Sequence, residues 1–416
     1  MIDEQSEEMG GGVNWDPVVR AHRAREVGRL RAGRRLAISP DRAWRAVVEA
    51  SAPFRLGMRF RAVPDVRLYT GDALVASPGP RLPGPDDRSL DDYVARLAGE
   101  GAAPRGFQLI VTDPLVLDFA LWAEVRGLVR GLLAQIGAPV LPVVSELVLG
   151  AFARTPRGFT RRMHCAVVTA VLAGRLRTRI WRRLWQRSPN EIRDFDSHRP
   201  DQVVTAHAGD VVYCPADRWH LDEALAPGLA LRLWIPAAGS DTGAEVSRLV
   251  SELVAERLGG DDGAVPFVPL VPRGPASAVP PEPRRTGRCV AELARGPQLA
   301  RELAIRWARR VSACGLEPVP AARSIALPAE ARVQRDPGTP IVRMRWRGES
   351  IWAANGHGFT LRSGEHALHR IVRSLERREA AVGALCGDDP GLAAALALLA
   401  EVRAITVAGA VGDGAR

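Results

Sequence analysis

Five apolar runs follow one another between residues 141 and 236: "LPVVSELVLGAFAR", "HCAVVTAVLAG", "LRTRIW", "QVVTAHAGDVVYCP" and "GLALRLWIP", each set off by glycine or proline. Runs this short and this rich in β-branched residues read as strands, and closely spaced turns join them into an antiparallel sandwich or small barrel. Upstream, "SLDDYVARLAGEG" opens on a serine cap with an acidic first turn. "PLVLDFALWAEVRGLVRGLLAQIG" runs from a proline to a glycine stop, so both predict helices, with "FQLIVTD" as a strand between them. Residues 1–88 mix arginines with the loop "SPGPRLPGPDDRS" and read as an N-terminal extension covering a core.

The pattern changes after Pro236. "DTGAEVSRLVSELVAERLG" is an amphipathic helix whose apolar face comprises Val246, Leu249, Val250, Leu253 and Val254; that face needs a partner, in a second copy or in the same chain. A proline-rich, stiff linker follows, then the helical stretch "CVAELARGPQLARELAIRWARRVSACG". From about Ala326 strands ("PIVRMRWRG", "SIWAANGHGFTL") alternate with helices ("GEHALHRIVRSLERREAAVGALCG", "GLAAALALLAEVRAI"), as in a winged-helix-like module. The expected α+β organisation is an extension (1–88), a β-barrel (89–240), a helical region (241–325) and a C-terminal module (326–416). A chain of 416 residues is long enough for two or three such cores.

Composition narrows the setting. All 57 basic residues are arginine, which excludes lysine chemistry, and the formal charge is +10. The stretches "RAHRAREVGRLRAGRR" and "GRLRTRIWRRLWQR" could meet nucleic acid, or be solvated faces with arginine stems lying over apolar surface. The five cysteines are scattered, with no CxxC pair, which favours reduced thiols. "MIDEQSEEMGGG" lacks the pattern of a secretory signal, and no apolar run approaches the roughly 20 residues of a membrane span, so a cytoplasmic protein is expected, with no membrane partner.

The order "TPRGF", "LAGRLRTRIW", "AHAGDVVYCPADRWH", "GLALRLWIP" resembles the bacterial JmjC/cupin-type 2-oxoglutarate oxygenases, including ribosomal-protein hydroxylases. The resemblance covers roughly 89–416. It implies a double-stranded β-helix, a helical dimerisation region and a C-terminal winged helix, and it makes His220, at the end of "GDVVYCPADRWH", the distal metal ligand. Such enzymes hold Fe(II) with two histidines and a carboxylate. Their His-x-Asp pair follows the "TPxG" turn, where this chain has Thr160 and Arg162, and no register of "GFTRRMHCAVV" supplies a carboxylate. The basic residue expected to grip 2-oxoglutarate is replaced by Leu176. Arg175 and Arg177 flank it and face the other side of the strand. Arg162, Arg175, Arg177 and Arg232 are the candidate ligand-binding arginines.

His164 has the parity of 160 and 162 and lies about 7 Å along the strand from Arg162. A shifted hairpin could bring it to His220, the pair being completed by water, His207 or Asp222; otherwise it is a hydrogen-bonded interior histidine. Asp210 and Asp217 read as turn residues. Cys165 next to His164 faces the opposite way, and His357 in "AANGHGF" has no motif around it. Three readings of function stay open. One is a JmjC-fold pseudoenzyme without cofactor that recognises a peptide or protein, with Arg161 and Arg162 suited to a carboxylate. Another is an active Fe(II)/2-oxoglutarate hydroxylase of a peptide or ribosomal protein using His164 and His220. The third is a nucleic-acid-associated protein.

Overall fold

The computed structural model describes residues 13–32, 36–57, 64–99, 106–155, 165–182, 199–237, 242–258, 281–322, 327–361 and 364–408. The first half contains α1 (Asp16–Ala24), β1 (Gly28–Arg31), α2 (Pro40–Arg55), β2 (Asp65–Thr70), β3 (Ala73–Leu74), α3 (Leu90–Gly99), β4 (Phe107–Thr112), α4 (Phe119–Ile136), β5 (Val144–Phe152), β6 (Cys165–Ala173), β7 (Arg175–Trp181), β8 (Gln202–His207), β9 (Asp210–Cys214) and β10 (Trp219–Pro236). After it come α5 (Gly243–Leu258), α6 (Pro281–Arg295), α7 (Pro297–Ser312), β11 (Arg332–Arg335), β12 (Ile341–Trp346), β13 (Glu349–Ala354), β14 (His357–Leu361), α8 (Glu365–Leu375), β15 (Ala380–Ala381), α9 (Val382–Cys386), α10 (Pro390–Glu401) and β16 (Ile405–Val407).

The strands form the expected antiparallel barrel-like core. One sheet is ordered β1-β9-β6-β10-β5-β4-β2-β3, and β8-β7 is joined to it through β10. "GLALRLWIP" is not a separate strand. It is the second half of β10, whose residues Trp219–Glu223 pair with β7 while Leu229–Trp234 pair with both β5 and β6. The register shifts between Ala224 and Gly228, which lets one strand serve both sheets. Gly174 makes the tight link from β6 to β7 at φ +74°, and a Cβ there would lie 2.5 Å from the Pro227 carbonyl oxygen.

Alternation along the strands separates two cores. Leu147, Leu149, Val168, Leu231 and Leu233 pack outward under the helices with Trp122, Val125 and Leu132 of α4. Val148, Val167, Val171, Leu176, Ile180, Val212 and Trp234 fill the space between the sheets. Helix α4 starts at Phe119, with Asp118 accepting from the Ala120 and Leu121 amides, because Pro114 opens a separate short turn. The first 88 residues are more than a covering: β1 pairs with β9, and β2 pairs with β4, so they widen the sheet at both ends.

The single helical stretch read after the linker is two helices, α6 and α7, divided where Gly296 caps and Pro297 begins the second. The apolar face of α5 packs within the chain, where Leu249, Leu253 and Val254 meet Cys289 and Leu293 of α6. At the C-terminal end, α8, α9 and α10 enclose a core with β11, while β13 is buried on both faces. Ile351 and Ala353 face Ala308 of α7, whereas Trp352 and Ala354 face the last helices. Among the described residues no helix is long and apolar enough to cross a membrane.

Candidate functional site

His220 is the second residue of β10. Its even parity turns it into the space between the sheets, where it is 3% exposed. Its Nδ1 lies 4.0 Å from Cys214 Sγ, its ring centroid is 6.0 Å from that of Trp234, and its Nε2 has no hydrogen-bond partner among the described residues. Burial pulls its pKa from 6.5 down to about 4, against the attraction of Asp222 and with repulsion from Arg232. The imidazole is therefore neutral at pH 7. Burial also pushes the neighbouring Cys214 thiol up to about 12, which makes it a poor nucleophile.

A neutral buried histidine has a stability consequence of fixed sign. Between pH 6.5 and about 4 the unfolded chain binds a proton that the folded one refuses. The stability carried by His220 is therefore complete above pH 6.5 and is lost as the pH falls through that window. His220→Gln should flatten the acid limb of the stability curve there. Urea denaturation at pH 7 and pH 4.5 checks this; equal slopes for the two proteins would mean that the imidazole is not held neutral.

One layer further in, a buried polar network crosses the barrel. Asp222, 2% exposed, accepts from Thr178 Oγ1 at 2.7 Å and from Arg232 Nη2, and its backbone amide donates to Thr155 Oγ1 at 2.9 Å. Arg232, also 2% exposed, lies 3.8 Å from Glu146 and 5.7 Å from the Trp234 ring centroid. Thr178 is cross-strand from Asp222, and Arg232 is cross-strand from Glu146, so the sheet registers assemble the cluster. Burying a guanidinium is costly unless carboxylates offset it, and this layer provides two. A void of about 10 Å³ lies against Arg232, Val148, Leu176 and Ala224, room for one water at most.

The other sequence candidates divide clearly. Thr160, Arg161, Arg162 and His164 lie outside the described residues. Leu176 points inward among apolar side chains. Arg175 is exposed, and Arg177 faces outward and pairs with Glu223, which also binds Arg179 at 2.7 Å. Arg175 and Arg177 thus lie off the interior face that Leu176 occupies, as strand alternation requires. Arg232 is inside, but it is already engaged. His207 is exposed at the end of β8 and cannot complete a site with His220. Asp210 accepts from the His207 amide and Arg29, and Asp217 pairs with Arg218. Half-buried His357 bonds through Nε2 to the Val319 carbonyl oxygen at 2.7 Å. The reading from sequence missed Glu146, Thr178 and Glu223; a lone acid inside the apolar run "VSELVLGAF" was the available signal.

Among the described residues the donor set does not make a two-histidine, one-carboxylate metal centre. Among the described residues no three His, Cys, Asp or Glu side chains converge, and both oxygens of Asp222 are occupied. "TPRGFTRRMH" contains no acid.

No family model matches the chain, and no curated protein matches it. Solved structures do. A structure of YcfD, a ribosomal oxygenase from Escherichia coli, aligns with 96% of this chain and 100% of its own at 17% identity, with a TM-score of 0.52. The same protein in complex with cobalt and 2-oxoglutarate aligns over 96% and 99% of the two chains at 17% identity, with a TM-score of 0.50. Its complex with cobalt and succinic acid gives 18% identity, the same coverages and the same score. Along nearly its whole length the chain shares the fold of that ribosomal oxygenase, with a JmjC/cupin jelly-roll core in its first half.

Proposed function

We propose that this chain is a JmjC/cupin-fold protein that binds a peptide or protein segment without oxygenating it. The observation that carries this reading is the Asp222–Arg232–Glu146 cluster. The cation that could take a dicarboxylate inside the barrel is neutralised by the chain itself, and the adjoining void holds no more than a water. YcfD is known in complex with cobalt and 2-oxoglutarate; here the interior arginine, Arg232, stands between Asp222 and Glu146. Arg161 and Arg162, in the stretch where the resembling oxygenases carry their His-x-Asp pair, suit an acidic side chain or a C-terminal carboxylate, because guanidinium forks bind carboxylates bidentately.

The Nε2 of buried His220, which has no partner among the described residues, favours a second reading, an Fe(II)/2-oxoglutarate hydroxylase in which His164 joins His220. Anaerobic calorimetric titration of metal-stripped protein with Fe(II) in the presence of 2-oxoglutarate separates the two. The expected outcome is no heat above that of the His220→Ala control. Micromolar 1:1 binding that disappears in the variant would overturn the pseudoenzyme reading and establish the second.

A further inference from the structure

A cleft of about 290 Å³ opens where α5 and α7 meet the barrel loop at Pro142, the turn after α7 and Gly356. Its charged lining is Arg248, Glu252, Arg306, Arg309, Arg310 and Glu317. Two of the four arginines are engaged: Arg310 binds Glu245 at 2.6 Å and the Val140 carbonyl oxygen, and Arg306 binds Glu252. The other two retain donors. Arg309 gives its Nε to the Gly356 carbonyl oxygen at 2.8 Å, and among the described residues its Nη groups have no acceptor. Arg248, with a side chain 59% exposed, stands 3.9 Å from Glu252, a carboxylate already held by Arg306. Four guanidiniums thus face three carboxylates, counting Glu245, and Glu317 has no cationic partner among the described residues.

We propose that this cleft binds a phosphate-bearing small molecule, with the phosphate between Arg248 and Arg309. A phosphate carries about two charges and three acceptor oxygens, matching two open guanidiniums where a carboxylate would satisfy one. The volume lies at the small end of ligand sites, so it accepts the phosphate and a modest remainder of the molecule. The walls come from the barrel, the helical region and the β13–β14 turn, so a ligand ties all three together and raises their stability by mass action. The proposal is independent of what the barrel binds.

The test uses the full chain, with calorimetry and thermal unfolding in pyrophosphate, in inorganic phosphate and in sodium chloride of matched ionic strength. Saturable binding of pyrophosphate is expected, with a rise in Tm that chloride does not reproduce. Arg248→Gln, at an exposed position that leaves folding intact, should weaken it about tenfold. Glu317→Gln should tighten it, because a like charge leaves the cleft. Failure of pyrophosphate and phosphate to saturate, or unchanged affinity in Arg248→Gln, overturns the proposal. So does a single-stranded RNA that binds with Arg248 dependence while pyrophosphate does not, since the surface would then serve a polymer.

Discussion

Asp222→Ala is expected to destabilise the protein by about 3–5 kcal/mol, the range for breaking a buried ion pair by removing one partner. The loss arises less from the missing attraction than from what remains. Arg232 is 2% exposed, and its Nε is already without a partner among the described residues. Without Asp222 its nearest carboxylate is Glu146, 3.8 Å away. Thr178 also loses the acceptor for its hydroxyl. Removing all three charges together, as Asp222→Leu, Arg232→Met and Glu146→Gln, should recover most of the loss, because well-packed apolar groups of similar volume replace buried pairs at little cost. Urea denaturation of the single and triple variants measures both. A single variant within about 1 kcal/mol of the parent, or a triple variant worse than the single, would mean that the cluster is hydrated instead of sealed.

Arg126→Met should uncouple the C-terminal end from the barrel, costing roughly 3 kcal/mol for the hydrogen bonds of a charged donor to buried acceptors. Arg126 leaves α4 almost wholly buried and donates to the Gly338 carbonyl oxygen at 3.0 Å, to Thr339 Oγ1 at 3.3 Å and to Asn355 Oδ1. It also lies over the Trp122 ring at 5.0 Å, while Trp122 Nε1 donates to the Glu317 carbonyl oxygen at 2.8 Å. Methionine keeps much of the apolar stem and removes every donor, leaving the Asn355 amide oxygen without its charged donor and the Gly338 carbonyl with only Arg130 at 3.5 Å. Scanning calorimetry should show the C-terminal transition moving to lower temperature, with early proteolysis between residues 318 and 340. An unchanged midpoint and an unchanged cleavage pattern would contradict this role.

Much of the barrel could be read from its runs and turns, because a strand with one face on each of two cores must repeat every second residue. Leu176 inside, with Arg175 and Arg177 outside, followed from that period alone. What escaped was the continuity of β10. No local signal in "WHLDEALAPGLALRLWIP" tells a strand that changes sheets from two strands joined by a turn. The partner of the α5 apolar face escaped for a similar reason: the pattern states that a face must be covered and leaves open what covers it.

Sequence alone determined that the segment "GFTRRMHCAVV" carries no carboxylate, that Leu176 alternates with Arg175 and Arg177, and that His220 follows a turn. These are matters of residue identity and parity. Only the tertiary structure decided that Arg232 is consumed by Asp222 and Glu146, that Arg177 and Arg179 enclose Glu223, and that His220 is buried and neutral. Those outcomes depend on which strands lie side by side and in what register. Burial and charge pairing are properties of that arrangement, so the state of each group is set by neighbours far away in the chain.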